Sequence, residues 1–560
     1  MSYFEERPGF PGARRALGGM GGHFGAPHPG LDVKIEGGTV IDGTGTAGGR
    51  TDVGIVGEDI VALGDLSRES AGRTLTASGK VVTPGFIDVH SHSDWSLWAN
   101  RRAESKIRQG VTTEVVGNCG FSPAPVAAEH LDDMRGFALA LPRGLDFRWR
   151  SIAEYLDAFD AHGTALNVVQ LVGHGALRIA AMGFARRAPT AGEQHEMQRL
   201  LGAGMEAGAW GLSTGLIYAP GSYATSDEIV ALARVAARHR GFYASHIRGE
   251  GATLLDAVAE AIAVGREADL AVQVSHIKAA GRPNWGNVPK ALALLDAAVA
   301  DGIDVMADVY PYTASSTLLR TLLPAWALEG GVEAMKQRLA EAGTRVRIRE
   351  ELTISPTGQS LVDRVGWDNV MISSCPRRTE AEGRRVSELA TAWRMDAFDV
   401  VADLLATDDG QAHVVMFQLD ERDLRQALAH PRVMIGSDGS SLAPYGELGA
   451  GRHHPRSYGT FPRVLGHYAR EERFLSLPQA VHKMTGLPAR RLGLRDRGVV
   501  QVGAKADLVV LDPRLCVDVA TYDDPHRYPR GIEHVLVNGC FVIRDGEHTG
   551  SLPGRLLRNL

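Results

Sequence analysis

The stretch TPGFIDVHSHSD, residues 83–94, is a short apolar segment that ends in a cluster of polar side chains. Its apolar part is typical of a buried β-strand, and His90 and His92 follow directly. Side chains two positions apart on a strand point to the same side, so both imidazoles face the same way. Two imidazoles placed in this way can bind one metal ion. The stretch therefore predicts a strand with a metal site at its carboxyl end.

Seven further apolar segments follow along the chain, separated by helical or loop sequence. They read TTEVVGNCG, NVVQLVGHG, WGLSTGLIY, GFYASHI, AVQVSHI, DVMADVY and VMIGSD. Between them lie helix signals such as Thr225 with Glu228, which predict a capping box, and Gly241, which predicts a helix end. Eight strands that alternate with helices over residues 85–497 predict an α/β fold, a TIM-like (β/α)8 barrel. Polar residues at the strand ends would then converge on one mouth.

Three segments lie outside this simple alternation. Residues 31–84 and 498–550 are rich in short strands, and we expect them to form one small β-sandwich domain built from both termini. Residues 1–30 are rich in Gly, Pro and Arg without any period, which predicts a flexible tail. Residues 321–369 form the longest insertion, after the seventh strand; they are charged and amphipathic, and we expect a lid over the barrel mouth.

Composition narrows the class of partner. The chain has 560 residues with 60 Lys+Arg against 66 Asp+Glu, a net charge of −6, which gives no electrostatic case for binding nucleic acid or an anionic membrane. No apolar run approaches the roughly 18 residues of a membrane span, and the N-terminus lacks the apolar core of a secretory signal. Four scattered cysteines indicate a reducing compartment. We therefore expect a soluble, cytoplasmic, globular protein.

Other candidate metal ligands stand at strand ends. His246 and His276 each end an apolar strand, and Asp438 ends the eighth. Cys119 lies among glycines at the end of the second strand, where a thiolate could complete a Cys/His site for zinc. The remaining cysteines are interpreted as small buried apolar residues; they are Cys375, Cys516 and Cys540.

These motifs resemble the amidohydrolase superfamily, which comprises metal-dependent hydrolases on a (β/α)8 barrel. GFIDVHSHSD is similar to its first-strand signature, and Asp438 in VMIGSDGS is similar to its eighth-strand aspartate. His246 and His276 resemble its fifth- and sixth-strand ligands. Many members bridge two metals with a carboxylated lysine on the fourth strand, but AWGLSTGLIYAPGSYAT contains no lysine. This departure argues against a centre of the hydantoinase, dihydroorotase or urease type.

A cysteine on the second strand in place of that lysine resembles the N-acyl-D-amino-acid deacylases (D-aminoacylases). The resemblance spans most of residues 31–560 and includes LVGHGALR, GLIYAPGSYA, DVYPYTASST, HPRSYGTFPR and GAKADLVVLDP. It implies one tightly bound zinc on Cys119, His246 and His276. It also implies a second, weaker metal position on His90, His92 and Asp438, with Cys119 available to both.

The resemblance also implies the reaction and its substrate contacts. A metal-activated water would hydrolyse the amide of an N-acyl-D-amino acid, with Asp438 as general base and then general acid. Lys278 and Arg456 would offer cations to the substrate carboxylate, and Tyr310 and Ser316 would offer hydroxyl groups. The segment between Asp438 and Arg456 is longer than the family's usual form, which leaves the position of Arg456 open. His174 either lines the site or braces the third strand.

Two alternatives remain open from the sequence. One is a related amidohydrolase that cleaves another C–N bond, in a dipeptide or a cyclic amide. The other is a barrel scaffold without catalysis, although the complete set of candidate ligands argues against it. Side-chain preference, acyl preference, the occupancy of the second metal position and the oligomeric state are not determined by the sequence.

Overall fold

The computed structural model describes residues 30–139, 142–353 and 364–559. The predicted flexible tail, residues 1–30, lies outside these ranges except for Gly30, and the predicted lid lies outside them at residues 354–363. Within the described ranges, every helix is too short or too polar to cross a lipid bilayer.

Eight parallel strands carry the predicted apolar segments, one strand for each segment. We number them β1 to β8 in chain order: Phe86–Asp88, Val111–Val116, Asn167–Gln170 continued as Val172–Gly173, Gly211–Gly215, Phe242–His246, Ala271–Val274, Val305–Val309 and Val433–Ile435. Each pairs with the next in parallel register, from β1 through to β8. Their side chains are almost all buried, as expected for strands covered on both faces.

Backbone contacts also join the two outermost strands of this series. The amide of Asp438, just after β8, donates to the carbonyl of His90, just after β1, at 2.7 Å. Ser91 and Gly439 form a parallel bridge beside it. The carboxyl ends of β1 and β8 therefore lie next to each other, and they bring the first and last candidate ligands together.

Helices connect the parallel strands and pack against them and against one another. Those before β7 are Ser96–Ala99, Glu104–Ile107, Leu131–Phe137, Ile152–His162, His174–Met182, Ala191–Glu206, Ser226–Arg238, Leu254–Ala268 and Val288–Ala300. Those after β8 are Arg456–Arg463, the π-helical Val464–Glu471, Leu477–Met484 and Gly486–Leu492. Short 3₁₀ turns lie at Ala128–His130, Gly221–Tyr223, Arg282–Asn284, Leu319–Leu322, Ala325–Leu328, Trp367–Asn369, Thr379–Ala381 and Gly446–Gly449.

The predicted capping box at Thr225 is only half formed. The Thr225 hydroxyl accepts from the amide of Glu228 at 3.4 Å and caps Ser226–Arg238, which ends before Gly241. The Glu228 carboxylate does not return to the cap, because it binds His174 and Arg178. The sequence pattern assigned the Glu228 carboxylate to the start of the helix, but in the structure this carboxylate forms a buried ion pair instead.

The chain between β7 and β8 forms a larger insertion than the sequence indicates. Besides residues 321–369 it contains an antiparallel sheet of three strands, Ser315–Leu318, Val370–Ser374 and His413–Met416. Its helices are Gly331–Ala340, Ala342–Thr353, Val386–Trp393, Ala397–Thr407 and Glu421–Ala429. The sequence does not show this sheet, because Ser315–Leu318 is polar and half-buried.

The two ends of the described chain form two β-sheets that pack together. A four-stranded sheet contains Leu31–Glu36, Asp52–Val56, Asp59–Gly64 and Ala71–Thr76. A seven-stranded sheet contains Thr39–Val40, Gly49–Arg50, Val81–Pro84, Leu508–Leu511, Ile532–Val537, Cys540–Arg544 and Glu547–His548. Val81–Pro84 lies between a strand from each end. Residues from both sheets, among them Ile35, Val82 and Leu508, form a single apolar core. A last strand, Leu556–Leu557, pairs with β3.

Candidate metal centre and active site

The candidate ligands converge at the carboxyl ends of the parallel strands. One potential ligand atom from each of four residues lies within 4.8 Å of the others; the residues are His90, Cys119, His276 and Asp438. They follow β1, β2, β6 and β8, which are far apart in sequence. All four are buried. The prediction that strand ends bring these residues together agrees with this arrangement.

Cys119 lies at the centre of the cluster. Its Sγ is 3.2 Å from Nε2 of His90 and 3.6 Å from Nε2 of His276. Burial alone would raise the pKa of the thiol, but the positive charge of His90 and hydrogen bonds from the neighbouring imidazoles hold that pKa well below its ordinary value. The surroundings therefore favour a thiolate, the form of cysteine that binds metals.

His246 approaches the cluster from β5 through His276. Its Nδ1 lies 2.9 Å from Nε2 of His276, and its Nε2 is buried with no hydrogen-bond partner among the described residues. A second group of potential ligands within 4.8 Å joins these two histidines to Glu250. His246 thus lies beside the Cys119 cluster and contacts both the His276 imidazole and the Cys119 thiol.

Asp438 connects the cluster to His92 and to Arg456. Its Oδ1 is 3.0 Å from Nε2 of His92 and 3.4 Å from Nε2 of His90. Its Oδ2 accepts a hydrogen bond from Nη1 of Arg456 at 2.8 Å. Burial would raise the pKa of this carboxyl, but the Arg456 guanidinium and the surrounding imidazoles hold it well below its usual range. Asp438 is therefore an ionised carboxylate within a cluster of cations.

These donor atoms fit a zinc ion. A thiolate sulfur, imidazole nitrogens and a carboxylate oxygen are the ligands that zinc takes in proteins. Ring nitrogens of two histidines face each other with the sulfur beside them, an arrangement that a cation at their centre would stabilise. Nδ1 of His90 lies 3.1 Å from Oδ1 of Asp308, and this contact orients the imidazole so that its Nε2 faces the sulfur.

Three of the candidate ligands hold an unusual backbone conformation. Cys119, His276 and Asp438 have φ of 54°, 36° and 50°, in the left-handed region that L-residues rarely adopt. Residues held in this way are concentrated at functional sites, where the surrounding structure enforces them. The strand ends therefore impose the positions of these side chains at some cost in conformational energy.

The end of the fourth strand packs closely against the Cys119 loop. Gly215 ends β4 beside His246, and a Cβ atom at this position would collide with the carbonyl oxygen of Cys119. A side chain at the end of β4 is thus incompatible with the position of Cys119. A lysine at position 215 is therefore excluded by the packing of the Cys119 loop.

A cavity of about 400 Å³ opens beside the cluster. His246, His276 and Asp438 line it, together with the predicted substrate contacts Lys278, Tyr310 and Ser316. A volume of this size is within the range of small-molecule sites. Three candidate metal ligands and three of the four predicted substrate contacts therefore lie on one surface. Arg456 and His92 line a second cavity, which shares Asp438 and Ser316 with the first.

The predicted cations are held by carboxylates of the site. Nζ of Lys278 donates to Glu250 at 2.5 Å and to the carbonyl of His276 at 2.9 Å. Arg456 donates to Asp438 and, from Nη2, to the carbonyl of Ser316 at 3.3 Å. Each cation is thus positioned beside the metal cluster by a specific acceptor.

Tyr310 offers an unused donor to the same cavity. Its hydroxyl is buried with no hydrogen-bond partner among the described residues. Burial raises the pKa of this phenol well above its ordinary value, so the hydroxyl keeps its proton. A buried hydroxyl of this kind is suited to a polar group of a ligand.

Two residues of the site are absent from the sequence predictions. Glu250 follows His246 by four positions and lies 3.2 Å from Nδ1 of His276. Asp308, at the end of β7, binds the imidazole of His90 and the amide of His276, and Gln273 donates to its other oxygen at 2.7 Å. The position of Asp308 near the end of a predicted strand is the sequence signal that could have identified it as a site residue.

The remaining candidate residues lie away from the metal cluster. His174 is fully buried, and its Nε2 lies 2.8 Å from Oε1 of Glu228. These contacts favour the interpretation that His174 braces the fold over the one in which it lines the site. Cys375 and Cys516 are buried free thiols, as expected. Cys540 is also a free thiol but is partly exposed, because it is in the final hairpin of the seven-stranded sheet.

Comparison with known proteins agrees with this geometry. A model of the amidohydrolase family matches residues 73–543. The D-aminoacylase of Alcaligenes xylosoxydans xylosoxydans is 40% identical over 527 residues, which cover 94% of this chain and 97% of that one.

Solved structures of similar proteins cover the same length. N-acyl-D-glutamate deacylase from Bordetella bronchiseptica, complexed with zinc and a phosphonate mimic of the tetrahedral intermediate, is 38% identical with a TM-score of 0.79, over 94% of this chain and 100% of that one. A second structure is that of a D-aminoacylase with a binuclear metal centre, in which one metal activates and the second metal attenuates. It is 39% identical to this chain, with the same TM-score and coverage. The chain belongs to the amidohydrolase family and, within it, to the N-acyl-D-amino-acid deacylases (D-aminoacylases).

Proposed function

We propose that this protein is a zinc-dependent hydrolase that cleaves the amide bond of N-acyl-D-amino acids and releases a carboxylate and a free D-amino acid. The observation that carries the proposal is the Cys119–His276–Asp438 cluster. Its His276 and Asp438 line a cavity that also presents Lys278 and Tyr310. The named relatives are deacylases of N-acyl-D-amino acids, and one of them is a zinc complex. The D-configuration is proposed from these relatives.

Cys119, His246 and His276 would hold the tightly bound zinc, and His90, His92 and Asp438 the second, weaker position. Zinc supplies a Lewis acid that polarises the amide carbonyl and activates water at neutral pH. Asp308 and Glu250 orient the imidazoles of His90 and His276 by the contacts described above.

Asp438 would move the proton. Its carboxylate is ionised and so can accept the proton of the attacking water at Oδ1, the oxygen that faces His90 and His92. It would then deliver that proton to the leaving nitrogen, because an amine leaves readily only when it is protonated. Arg456 holds the other oxygen and so fixes the direction of the carboxylate.

Lys278, Arg456, Tyr310 and Ser316 would bind the carboxylate of the substrate. The first two supply positive charge, and the Tyr310 hydroxyl supplies a donor that has no other described partner. A charge-assisted hydrogen bond in a buried cavity is about twice as strong as a neutral one. These contacts would place the scissile amide against the metal cluster.

The domain arrangement supports this function. We propose that β1 to β8 close into a (β/α)8 barrel over residues 85–497, with the contacts between His90 and Asp438 as the closing seam. Residues 31–84 and 498–550 would form the β-sandwich domain, and the described part of residues 321–369 the lid. Thr321, Leu322 and Arg364 of the insertion line the cavity, as a lid would. All four cysteines are free thiols, in keeping with a cytoplasmic location.

A panel of N-acetyl-D- and N-acetyl-L-amino acids, assayed with the zinc-loaded protein, tests the proposal. We expect release of acetate from D-substrates and at least about 10²-fold lower kcat/KM for their L-enantiomers. Hydrolysis of dipeptides or cyclic amides in place of these substrates would favour another amidohydrolase reaction. Absence of stoichiometric zinc and of all activity would favour a non-catalytic scaffold.

A further inference from the structure

Three cationic side chains line the cavity, and two of them are already paired with carboxylates. Arg248 binds Glu260 at 2.9 Å, and Lys278 binds Glu250 at 2.5 Å. The third, Arg364, forms no ion pair with any carboxylate in the part of the chain that the structure describes. The Glu250 carboxylate acts on the Arg364 charge without an ion-pair contact, and Glu250 already binds Lys278. Two cations of this wall therefore share one carboxylate.

The space around Arg364 is created by two glycines. A Cβ atom on Gly281 would lie 2.8 Å from Cβ of Arg364, and one on Gly251 would lie 2.8 Å from its Nη1. Any larger residue at either position would displace the arginine. The guanidinium is also more than half buried, and its Nε has no hydrogen-bond partner among the described residues. Glycines on both sides and an unused donor indicate a site shaped around this side chain.

Two neutral polar groups line the cavity together with Arg364. Gln418 donates from Nε2 to Oγ of Ser315 at 2.8 Å, and both line the cavity with Arg364. A cation next to neutral hydrogen-bonding groups in a half-buried pocket favours an anionic ligand, because a neutral apolar ligand would leave the guanidinium desolvated and unpaired.

We propose that Arg364 binds the side-chain carboxylate of the substrate, so that the preferred substrates are the N-acyl derivatives of acidic D-amino acids, D-glutamate and D-aspartate. This inference rests on the proposed function and extends it, since the α-carboxylate is assigned to Lys278 and Arg456. An acidic substrate brings two carboxylates, and the cavity then offers separate cations for each of them. Arg364 is in this view a specificity-determining residue that takes no part in proton transfer.

The test compares isosteric substrates in the full-length zinc enzyme. N-acetyl-D-glutamate and N-acetyl-D-glutamine have the same shape and differ in side-chain charge, and N-acetyl-D-methionine is an apolar reference. We expect the wild type to prefer the glutamate. Arg364→Met should lower kcat/KM for the glutamate by about 10- to 150-fold, the effect of losing one charge-assisted hydrogen bond, and change the other two by less than about threefold. Arg364→Lys keeps the charge and should retain part of the preference.

Controls separate this inference from folding and from the proposed function. Arg266→Met, in the half-exposed outer part of the helix Leu254–Ala268, should change none of the three activities. Retained activity of Arg364→Met on the methionine derivative shows that this variant folds. Equal losses on all three substrates, or a wild type that prefers the methionine derivative, would overturn the role of Arg364 while leaving the deacylase assignment intact. A zinc-loaded wild type that hydrolyses none of them would overturn the deacylase assignment itself.

Discussion

Arg456 and Asp438 are joined by a buried salt bridge of 2.8 Å, although the long segment of residues 439–455 separates them in sequence. Both side chains are more than nine-tenths buried. The segment therefore leaves the site and returns to it, and its extra length does not displace Arg456. The carboxylate proposed to carry the proton is thus held by the cation proposed to bind the substrate.

The first prediction concerns this carboxylate. Asp438→Asn keeps the size of the side chain but cannot accept a proton, so kcat should fall by at least about 10²-fold. Tightly bound zinc should remain, because the Cys119, His246 and His276 set is unchanged. Steady-state kinetics and metal analysis of the same preparation check both parts, and near-normal turnover would assign the base to another group.

The second prediction concerns the metal. Cys119→Ala should lose the tightly bound zinc and nearly all activity, because two imidazoles alone make an incomplete site. Metal analysis after dialysis measures the first effect. Cys516→Ala removes a thiol that is buried away from the cluster, and it should keep its zinc. One zinc per chain retained by Cys119→Ala would contradict the ligand assignment.

The third prediction distinguishes the two cations near the cluster. Lys278→Met should lower kcat/KM for an N-acyl-D-amino acid by about 10- to 150-fold and have little effect on its primary amide, which lacks the charge. Arg456→Met should impair both substrates, because Asp438 also loses its partner. Lys290→Met, in an exposed position, is the control. Equal losses on acid and amide for Lys278→Met would show that Lys278 only braces the site.

The fourth prediction concerns a buried charge cluster beneath the site. Nζ of Lys106 lies 2.7 Å from Asp88 and 2.9 Å from Glu114, and all three side chains are fully buried. Lys106→Met leaves two carboxylates without their cation, so the free energy of unfolding should fall by about 3–5 kcal/mol. Lys505→Met breaks a more exposed pair with Asp59 and should cost about 1 kcal/mol or less. Urea unfolding of both variants measures the difference, and equal costs would contradict the prediction.

The fifth prediction concerns pH. Burial lowers the pKa of Lys483 from 10.5 to about 8, and its ammonium donates to the carbonyl of Val433. Between these values the unfolded chain binds more protons than the native one, so the contribution of Lys483 to stability rises with pH. The full rise is roughly 3 kcal/mol, complete near pH 10.5. Unfolding free energies of the wild type relative to Lys483→Met, from pH 7 to 10.5, measure it; a constant difference would refute it.

The strands and the metal ligands could be predicted because their signals are local. Each of the eight parallel strands is an apolar run, and residues such as His90, His276 and Asp438 stand at the end of one. The roles of Glu250 and Arg364 could not be predicted in this way. They depend on which distant residues the fold brings beside them: two histidines and a lysine for Glu250, and two glycines for Arg364.

The insertion shows the same limit for secondary structure. Ser315–Leu318 is polar, and it becomes a strand because His413–Met416 pairs with it across a long loop. The capping box at Thr225 was predicted from a local pattern, but its glutamate, Glu228, binds the buried Arg178 and His174 instead. Where a distant partner competes for a group, the local pattern alone does not decide the outcome.

The left-handed backbone of Cys119, His276 and Asp438 limits how this site could be transplanted. Each such residue costs roughly 1 to 2 kcal/mol relative to an ordinary conformation. A recipient scaffold given only the same side chains would relax to ordinary backbone angles and carry the ligand atoms away from one another. A successful graft must therefore include the strand ends themselves, with Gly117 and Gly120, whose φ of 80° and 78° let the chain turn on both sides of the cysteine.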